Sequence, residues 1–125
     1  MNCPKCNADM ELVKIADIEI DRCTGCGGLW FDMLEHEHLK GIAGSERIDS
    51  GDAARGRQQD QVRKVNCPRY KTGMIGMVFP GQTHIHYEMC SVCHGVYLDA
   101  GEFADFKQVS LSERVKHILA IFKKT

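Results

Sequence analysis

Closely paired cysteines are the residues of this 125-residue chain whose types and spacing are best suited to chemistry. Cys3 and Cys6 are separated by two residues, and Cys23 and Cys26 repeat that spacing after sixteen intervening residues. Thiolates are preferred ligands of Zn²⁺, and two tight turns with two cysteines each supply the four corners of a tetrahedral site. No position would then be left for water or substrate. We therefore predict one structural Zn²⁺ held by Cys3, Cys6, Cys23 and Cys26.

Iron and disulfide bonds are the competing uses of these cysteines. An iron centre of the rubredoxin type has the same four ligands, so ligand identity alone does not separate it from zinc. The sixteen-residue spacer is shorter than we expect for such a centre, which favours zinc. Disulfides suit an oxidising compartment. Because the chain has seven cysteines, an odd number, and no apolar leader after Met1, we expect a metal-binding protein of the reducing cytoplasm.

A second, incomplete cysteine pattern follows later in the chain. Cys67, Cys90 and Cys93 repeat three of the first four cysteines, and Tyr70 takes the place of the fourth. A phenol, with a pKa of about 10, replaces a thiolate poorly. Two alternatives stay open: the three cysteines hold a second Zn²⁺ together with a histidine or a water, or the site holds no metal and packing alone supports it. The candidate histidines are His84, His86 and His94.

The similarity between the two halves of the chain continues beyond the cysteines. Residues 28–32 (GLWFD) align with residues 95–99 (GVYLD). An acidic residue, Glu35 or Glu102, follows three positions after the aligned aspartate in each half. Matching aromatic and acidic positions at the same offsets indicate a tandem duplication.

Aromatic and imidazole side chains near the cysteines each allow two interpretations. Trp30 and Tyr97 hold the same position in the two halves. An aromatic ring there suits stacking on a base or insertion into a partner, but its recurrence favours packing inside the fold. His36 and His38 lie in the first predicted helix, where we expect surface residues rather than metal ligands.

Hydrophobic periodicity predicts a small, metal-stabilised α+β fold. Alternating apolar and polar residues predict two strands between the cysteine pairs of each half, and a third short strand follows. Asp32 and Asp99, each with a glutamate three residues later, predict the N-caps of short helices. The predicted strands are 10–14, 18–22 and 29–31 in the first half and 74–79, 85–89 and 96–98 in the second, with a turn at Pro80-Gly81. The predicted helices are 33–40 and 100–107.

The connecting and C-terminal segments differ from these halves. Residues 41–61 are polar and interrupted by glycine, which predicts a linker with a tendency to form helix near 54–64. Residues 110–122 place apolar side chains at spacings of three and four, which predicts an amphipathic helix. That helix would cover one half, form a homodimer or lie on a membrane surface, and no apolar stretch is long enough for a membrane span. The predicted domains are 1–40, a linker over 41–65, 66–108, and the helix over 109–125.

The cysteine pattern resembles the bacterial zinc-ribbon family likened to the ribbon of transcription factor IIB. In that family a Cys-Pro-x-Cys turn and a hairpin lead to Cys-x-x-Cys-Gly-Gly, an aromatic residue and an acidic end. The matching residues of the first half are Cys3, Pro4, Cys6, Cys23, Cys26, Gly27, Gly28, Trp30 and Asp32. Those of the second half are Cys67, Pro68, Cys90, Cys93, Gly95, Leu98, Asp99, Gly101 and Glu102, with departures at Tyr70, His94 and Tyr97. The resemblance implies two zinc ribbons, the second degenerate, used in nucleic-acid or protein contacts.

Charge is unevenly distributed along the chain. Residues 1–52 carry five basic and eleven acidic residues, whereas residues 53–71 carry six basic residues and one acidic residue. Nucleic-acid binding needs a positive surface, so only the middle segment suits it, and we expect such binding to be weak. The candidate nucleic-acid-binding residues are Arg55, Arg57, Arg63, Lys64, Arg69 and Lys71.

The sequence shows no set of residues typical of an active site. It has no nucleophile turn of the Ser/His/Asp type and no glycine loop of the kind that binds phosphate. Together with the acidic first half, this favours a non-enzymatic adaptor that docks on an unidentified protein partner. The alternatives are a nucleic-acid-binding or transcription-associated protein acting through 53–71, and a metal-site enzyme or sensor at the incomplete second site.

Overall fold

A computed structural model describes residues 1–62, 64–79 and 82–107 of the chain. These residues form a small α+β fold with an antiparallel sheet and short helices, as the sequence predicted. The C-terminal helix predicted over 110–122, with its homodimer and membrane-surface roles, lies outside the described residues, as does the turn at Pro80-Gly81. Among the described residues, no helix is long and apolar enough to cross a membrane.

The first ribbon consists of three antiparallel strands, β1 (Met10–Ile15), β2 (Ile18–Cys23) and β3 (Leu29–Phe31). The β1–β2 hairpin is closed by a two-residue turn, Ala16-Asp17. Both turn residues have positive φ, 48° and 65°, which matches the twist of the flanking strands. All three strands lie where the sequence predicted them, to within one residue at each end.

The second ribbon repeats this arrangement with β4 (Met74–Phe79), β5 (Gln82–Cys90) and β6 (Val96–Leu98). Met74 pairs with Cys90, just as Met10 pairs with Cys23. β5 begins at Gln82, earlier than the predicted Ile85. The two ribbons therefore share their strand order and the register that aligns their cysteines.

The two ribbons are joined into one six-stranded sheet of order β1-β2-β3-β6-β5-β4. The seam is the antiparallel pair β3–β6, centred on Trp30 opposite Tyr97. Leu29 lies opposite Leu98, and Phe31 lies opposite Val96. Each ribbon alone would leave its third strand with an unpaired edge, and the seam satisfies both edges at once.

Side chains alternate between the two faces of the sheet and so divide the core in two. Leu29, Phe31 and the helical residue Phe103 belong to an apolar cluster on one face, where the Phe31 and Phe103 rings are 5.3 Å apart. Trp30 and Tyr97 project to the other face, among the cysteines. Both are 0% exposed, which confirms the prediction that they pack inside the fold.

The first helix, α1 (Glu35–Lys40), begins two residues later than predicted. The main-chain N–H of Asp32 donates to Glu35 Oε1 at 2.9 Å, as in the predicted capping box. The Asp32 carboxylate, however, accepts from Trp30 and Arg69 and makes no cap hydrogen bond. Because this carboxylate is engaged elsewhere, Leu34 occupies the N-cap position instead, with a left-handed φ of 65°.

The second helix begins at Glu102, is described as far as Lys107, and is capped from outside its own ribbon. The main-chain N–H groups of Gly101 and Ala104 donate to the two carboxylate oxygens of Asp49 at 2.8 and 3.0 Å. The Asp99 N–H donates to Glu102 Oε1 at 2.7 Å, which is the counterpart of the Asp32–Glu35 bond.

The segment that connects the ribbons packs on both of them. It contains a 3₁₀ helix (Ser45–Ile48) and α2 (Ala53–Gln59), close to the helical tendency that the sequence showed. A Cβ built on Gly56 would lie 2.0 Å from the Ala100 main-chain oxygen, and one on Gly51 would lie 2.8 Å from Gly27 Cα. The sequence predicted a linker here and did not predict this packing. Its buried apolar residues, such as Ile48, are too few to form an apolar period, and the closest contacts involve glycines.

Candidate metal centres

Site one brings together Cys3, Cys6, Cys23 and Cys26. The Sγ atoms of Cys3 and Cys26 are 3.8 Å apart, those of Cys6 and Cys23 are 3.3 Å apart, and all four lie within 4.8 Å of one another. A tetrahedral zinc with bonds of about 2.3 Å places its sulfurs about 3.8 Å apart. The four thiols therefore fit Zn²⁺.

Main-chain amides point at the site-one sulfurs. The N–H groups of Gly25 and Cys26 each donate to Cys23 Sγ at 3.3 Å, and that of Cys6 donates to Cys3 Sγ at 3.5 Å. Gly27 continues the turn with φ 78°. Such donors stabilise thiolates, which carry the negative charge of a four-cysteine zinc site.

Tyr97 brings a side chain of the second ribbon to site one of the first. Its Oη lies 3.2 Å from Cys3 Sγ and 3.3 Å from Cys26 Sγ. Burial and the neighbouring cysteines raise the pKa of Tyr97 above its usual range, so the phenol keeps its proton. Because metal-bound thiolates have no proton to donate, the Tyr97 hydroxyl is the donor. Sequence reasoning placed Tyr97 in the core but did not find this contact.

The aromatic rings are exchanged across the seam in both directions. A Cβ built on Gly28 would lie 1.8 Å from Tyr97 Oη, and one on Gly95 would lie 2.2 Å from Trp30 Cζ2. Gly28 and Gly95 are equivalent positions, each two residues after the last cysteine of its ribbon. Tyr97 of the second ribbon therefore packs on the cysteine turn of the first, and Trp30 of the first ribbon packs on the cysteine turn of the second.

Ion pairs are exchanged across the seam in the same way. Lys5 Nζ lies 2.7 Å from Asp99 Oδ2 and 2.9 Å from Glu88 Oε1, with its side chain fully buried. Arg69, the equivalent of Lys5, bonds both oxygens of Asp32 at 3.0 and 3.2 Å, but this pair is exposed. Burial opposes the charge on Lys5, yet the two carboxylates raise its pKa, so the ammonium stays charged.

A cluster of three carboxylates lies beside Lys5. Oxygens of Asp60, Asp99 and Glu102 lie within 4.8 Å of one another. Burial, with the neighbouring charges of Asp99 and Asp60, raises the pKa of Glu102 to about 9. At neutral pH Glu102 is therefore protonated, and the Lys5 ammonium compensates Asp99. The proton on Glu102 and the Lys5 ammonium together reduce the negative charge of this cluster.

Site two brings together the three cysteines of the second pattern. Sγ atoms of Cys67, Cys90 and Cys93 lie within 4.8 Å of one another, with 3.8 Å between Cys67 and Cys93. The N–H of Tyr70 donates to Cys67 Sγ at 3.4 Å, the bond that Cys6 makes to Cys3 in site one. Burial opposes ionisation of Cys90, but hydrogen bonds led by the Cys93 amide and the Thr72 hydroxyl lower its pKa to about 6.

The described histidines lie outside site two. His94 has φ 61° and is exposed; its amide donates to the Cys90 oxygen, as that of Gly27 does to the Cys23 oxygen. His86 pairs with Val78 in the β4–β5 ladder. Among the described histidine, cysteine, aspartate and glutamate side chains, none but the three cysteines joins this donor cluster. The side chain of His84 lies outside the described residues, so its proposed role stays a prediction.

The first-helix histidines differ from each other. His38 is exposed, as predicted, but His36 is buried, and its predicted place on the helix surface is wrong. The His36 ring lies 6.1 Å from that of Phe31 and 6.0 Å from that of Phe106. Burial lowers the pKa of His36, so it is a neutral member of the aromatic core. The late start of α1 turns this position inward.

The basic residues of 53–71 are spread over different elements. Arg55 and Arg57 are exposed on α2, and Lys64 and Lys71 are exposed further along. Arg69 is paired with Asp32, which reduces the charge available to phosphates. Arg63 lies outside the described residues. Nucleic-acid binding through this segment stays a prediction.

Comparison with known families identifies the first ribbon. Residues 2–41 match the family model for the transcription factor zinc-finger, the zinc ribbon of the transcription factor IIB type. This match and the four-cysteine geometry define the N-terminal part of the chain as a zinc ribbon whose cysteines form a Zn²⁺-binding cluster. The matched residues end before the second ribbon. No curated protein and no solved structure matches the chain.

Proposed function

We propose that this chain is a non-enzymatic adaptor of the cytoplasm whose two ribbons present a docking site for a protein partner. The observation that carries this proposal is a pocket of about 290 Å³ at the seam between the ribbons. One wall comes from α1 and the two residues before it, and the other comes from β5, β6 and the turn between them. The lining residues are Met33, Leu34, His36, Glu37, Tyr87, Met89, His94 and Val96.

Leu34 is the clearest sign of a binding role for this pocket. Its side chain is 63% exposed, and the neighbouring Met33 is 57% exposed. Leu34 also has φ 65°, a conformation that costs a non-glycine residue of this kind about 1–2 kcal/mol. An apolar side chain that is both exposed and strained suits a contact with another molecule better than a purely structural role.

Charge indicates what kind of partner would fit. Residues 1–52 have a net charge of −6, and Lys5, one of their five basic residues, is buried. Glu37 contributes a carboxylate to the pocket wall. We therefore expect a peptide segment with one apolar anchor for the pocket and basic residues beside it, because complementary charge steers and selects partners.

Two pocket variants test this function without damage to the fold. Leu34→Gly removes the side chain and relieves the positive φ, so it should hold or raise thermal stability; Met33→Ser removes the second apolar contact. Leu12→Ser is the matched control, since Leu12 is 69% exposed on β1 and does not line the pocket. Partners captured by the full chain and identified by mass spectrometry should be lost with both pocket variants and kept with the control. Equal capture by all four proteins would refute the docking site.

Nucleic-acid binding is the second candidate function. It is supported by the exposure of Tyr70, at 58%, beside the exposed Lys71, because an aromatic ring in a basic segment can stack on a base. The pairing of Arg69 with Asp32 and the acidic first ribbon oppose it. We rank it below protein docking for these reasons.

A further inference from the structure

Site two keeps the main-chain geometry of a metal site although one ligand has been replaced. Its three sulfurs converge within 4.8 Å, the distance range that also encloses the four sulfurs of site one. The N–H groups of Tyr70 and Val92 each donate to a site-two sulfur at 3.4 Å, matching those of Cys6 and Gly25 in site one. A turn held by packing alone would not need amides aimed at its sulfurs.

The fourth corner of site two is not filled by any described histidine, cysteine, aspartate or glutamate. Tyr70 has the main-chain hydrogen bond of a ligand residue, but the residue is 58% exposed. His94 lies in the turn but is exposed and also outside the cluster. Three cysteine sulfurs therefore define the site among the described residues, and no described histidine, cysteine or carboxylate supplies a fourth ligand.

The exchanged aromatics make the two sites differ in the charge that they support. Site one receives the Tyr97 hydroxyl, which donates to its thiolates. Site two receives Trp30 instead, and the indole N–H of Trp30 donates to Asp32 Oδ1 at 3.3 Å rather than to a sulfur. The hydroxyl near site two is that of Thr72, 3.5 Å from Cys90 Sγ. A zinc ion with four thiolates carries a charge of −2, whereas three thiolates and a neutral ligand carry −1. The Tyr97 hydroxyl lies near two sulfurs of site one, whereas the Thr72 hydroxyl lies near only one sulfur of site two, so site two suits the smaller charge.

We propose that Cys67, Cys90 and Cys93 hold a second Zn²⁺ whose fourth ligand is a neutral imidazole-type nitrogen from outside the chain. A water molecule takes that position when no such ligand is bound. Borderline-soft zinc accepts three sulfurs and one imidazole in a closed tetrahedral site, so a partner's histidine would complete it. The proposal does not depend on the pocket at Met33 and Leu34, and the variants that test it lie elsewhere.

Cobalt substitution with free imidazole as the probe tests the open position. The full chain is prepared with Co²⁺ in place of zinc, and its visible absorption is recorded as imidazole is added. We expect two metal ions per chain and an imidazole-dependent shift of the cobalt bands. In Tyr70→Cys a fourth thiolate closes the site, so this variant should also bind two ions but show no shift. Cys90→Ser should bind one ion and supply the spectrum of site one alone.

Tyr70→Phe is the matched control for the phenol. It keeps the ring and removes the hydroxyl, so it should behave like the unaltered chain. A changed cobalt spectrum in Tyr70→Phe would make the phenol oxygen the fourth ligand and overturn the proposal. The proposal would also be overturned by one metal ion per chain in the unaltered protein, or by two ions whose cobalt spectrum does not change when imidazole is added.

Discussion

The phenol oxygen of Tyr97 lies 3.2 Å from the sulfur of Cys3, although the two residues belong to different ribbons and are separated by 94 positions in sequence. This contact makes the second ribbon part of the surroundings of the first metal site. Zinc at site one is therefore supported by the seam between β3 and β6, and not only by the two cysteine turns that carry its ligands.

Replacing Tyr97 with phenylalanine should weaken zinc retention at site one while keeping the sheet. Loss of a hydrogen bond to a metal ligand typically lowers metal affinity by about 10- to 100-fold. We expect zinc transfer to a chromogenic chelator to be faster by a factor in that range, with circular dichroism unchanged. Tyr70→Phe, at an exposed position, should leave site-one transfer unaffected. Equal rates in the Tyr97 and Tyr70 variants would mean that the phenol does not support the site.

Adding one methyl group at Gly95 should separate the ribbons. The new Cβ would lie 2.2 Å from Trp30 Cζ2, and the indole is fully buried. Overpacking of this kind costs about 1–3 kcal/mol or more. We expect Gly95→Ala to lower the thermal midpoint clearly. Gly73→Ala is the control, because a Cβ there meets nothing within 4 Å. Similar midpoints for the two variants would contradict the exchanged packing.

Much of each ribbon was predictable because its signals are local. The run Leu29–Phe31 became β3 since it follows a tight cysteine turn and is wholly apolar. The joining of β3 to β6 was not predictable, because it depends on main-chain edges that carry no side-chain pattern. The start of α1 was missed for a related reason: Arg69, distant in sequence, takes the carboxylate of Asp32 that the capping box would have used. Tertiary contacts override local signals at these positions.

The affinity of the basic segment for nucleic acid should depend only moderately on salt concentration. With Arg69 paired to Asp32, at most five basic residues of 53–71 remain for phosphates. The slope of log K against log salt for duplex DNA should then be no steeper than about −4.5. Fluorescence anisotropy across a salt series measures it. The double variant Arg55→Gln/Arg57→Gln should flatten the slope, and Arg47→Gln, outside the segment, should not. Tight binding that depends on base sequence would favour a nucleic-acid reader over an adaptor.

The two equivalent basic residues should differ sharply in their contribution to stability. Lys5→Met leaves Asp99 and Glu88 buried without their cation, which typically costs about 3–5 kcal/mol. Arg69→Met breaks an exposed pair with Asp32 and should cost less than about 1 kcal/mol. Urea unfolding of the zinc-loaded proteins gives both values. Equal losses would show that the burial of Lys5 does not determine its role.

The buried carboxyl of Glu102 should make the protein less stable as pH rises. Its pKa is raised from about 4.5 to about 9 in the folded state, by burial first and then by Asp99 and Asp60. A raised folded-state pKa means that the native protein holds a proton that the unfolded chain has lost. The stabilisation by this protonated carboxyl is complete below about pH 4.5 and is lost as the pH rises to about 9.

Glu102→Gln keeps an oxygen to accept the Asp99 N–H and cannot ionise. Between pH 6 and 9, chosen because zinc thiolates protonate in acid, the variant should lose less unfolding free energy than the unaltered chain. Glu11→Gln, on the exposed face of β1, is the control. A pH slope that is the same in the Glu102 variant and the unaltered chain would show that this carboxyl is ionised in the folded protein at neutral pH.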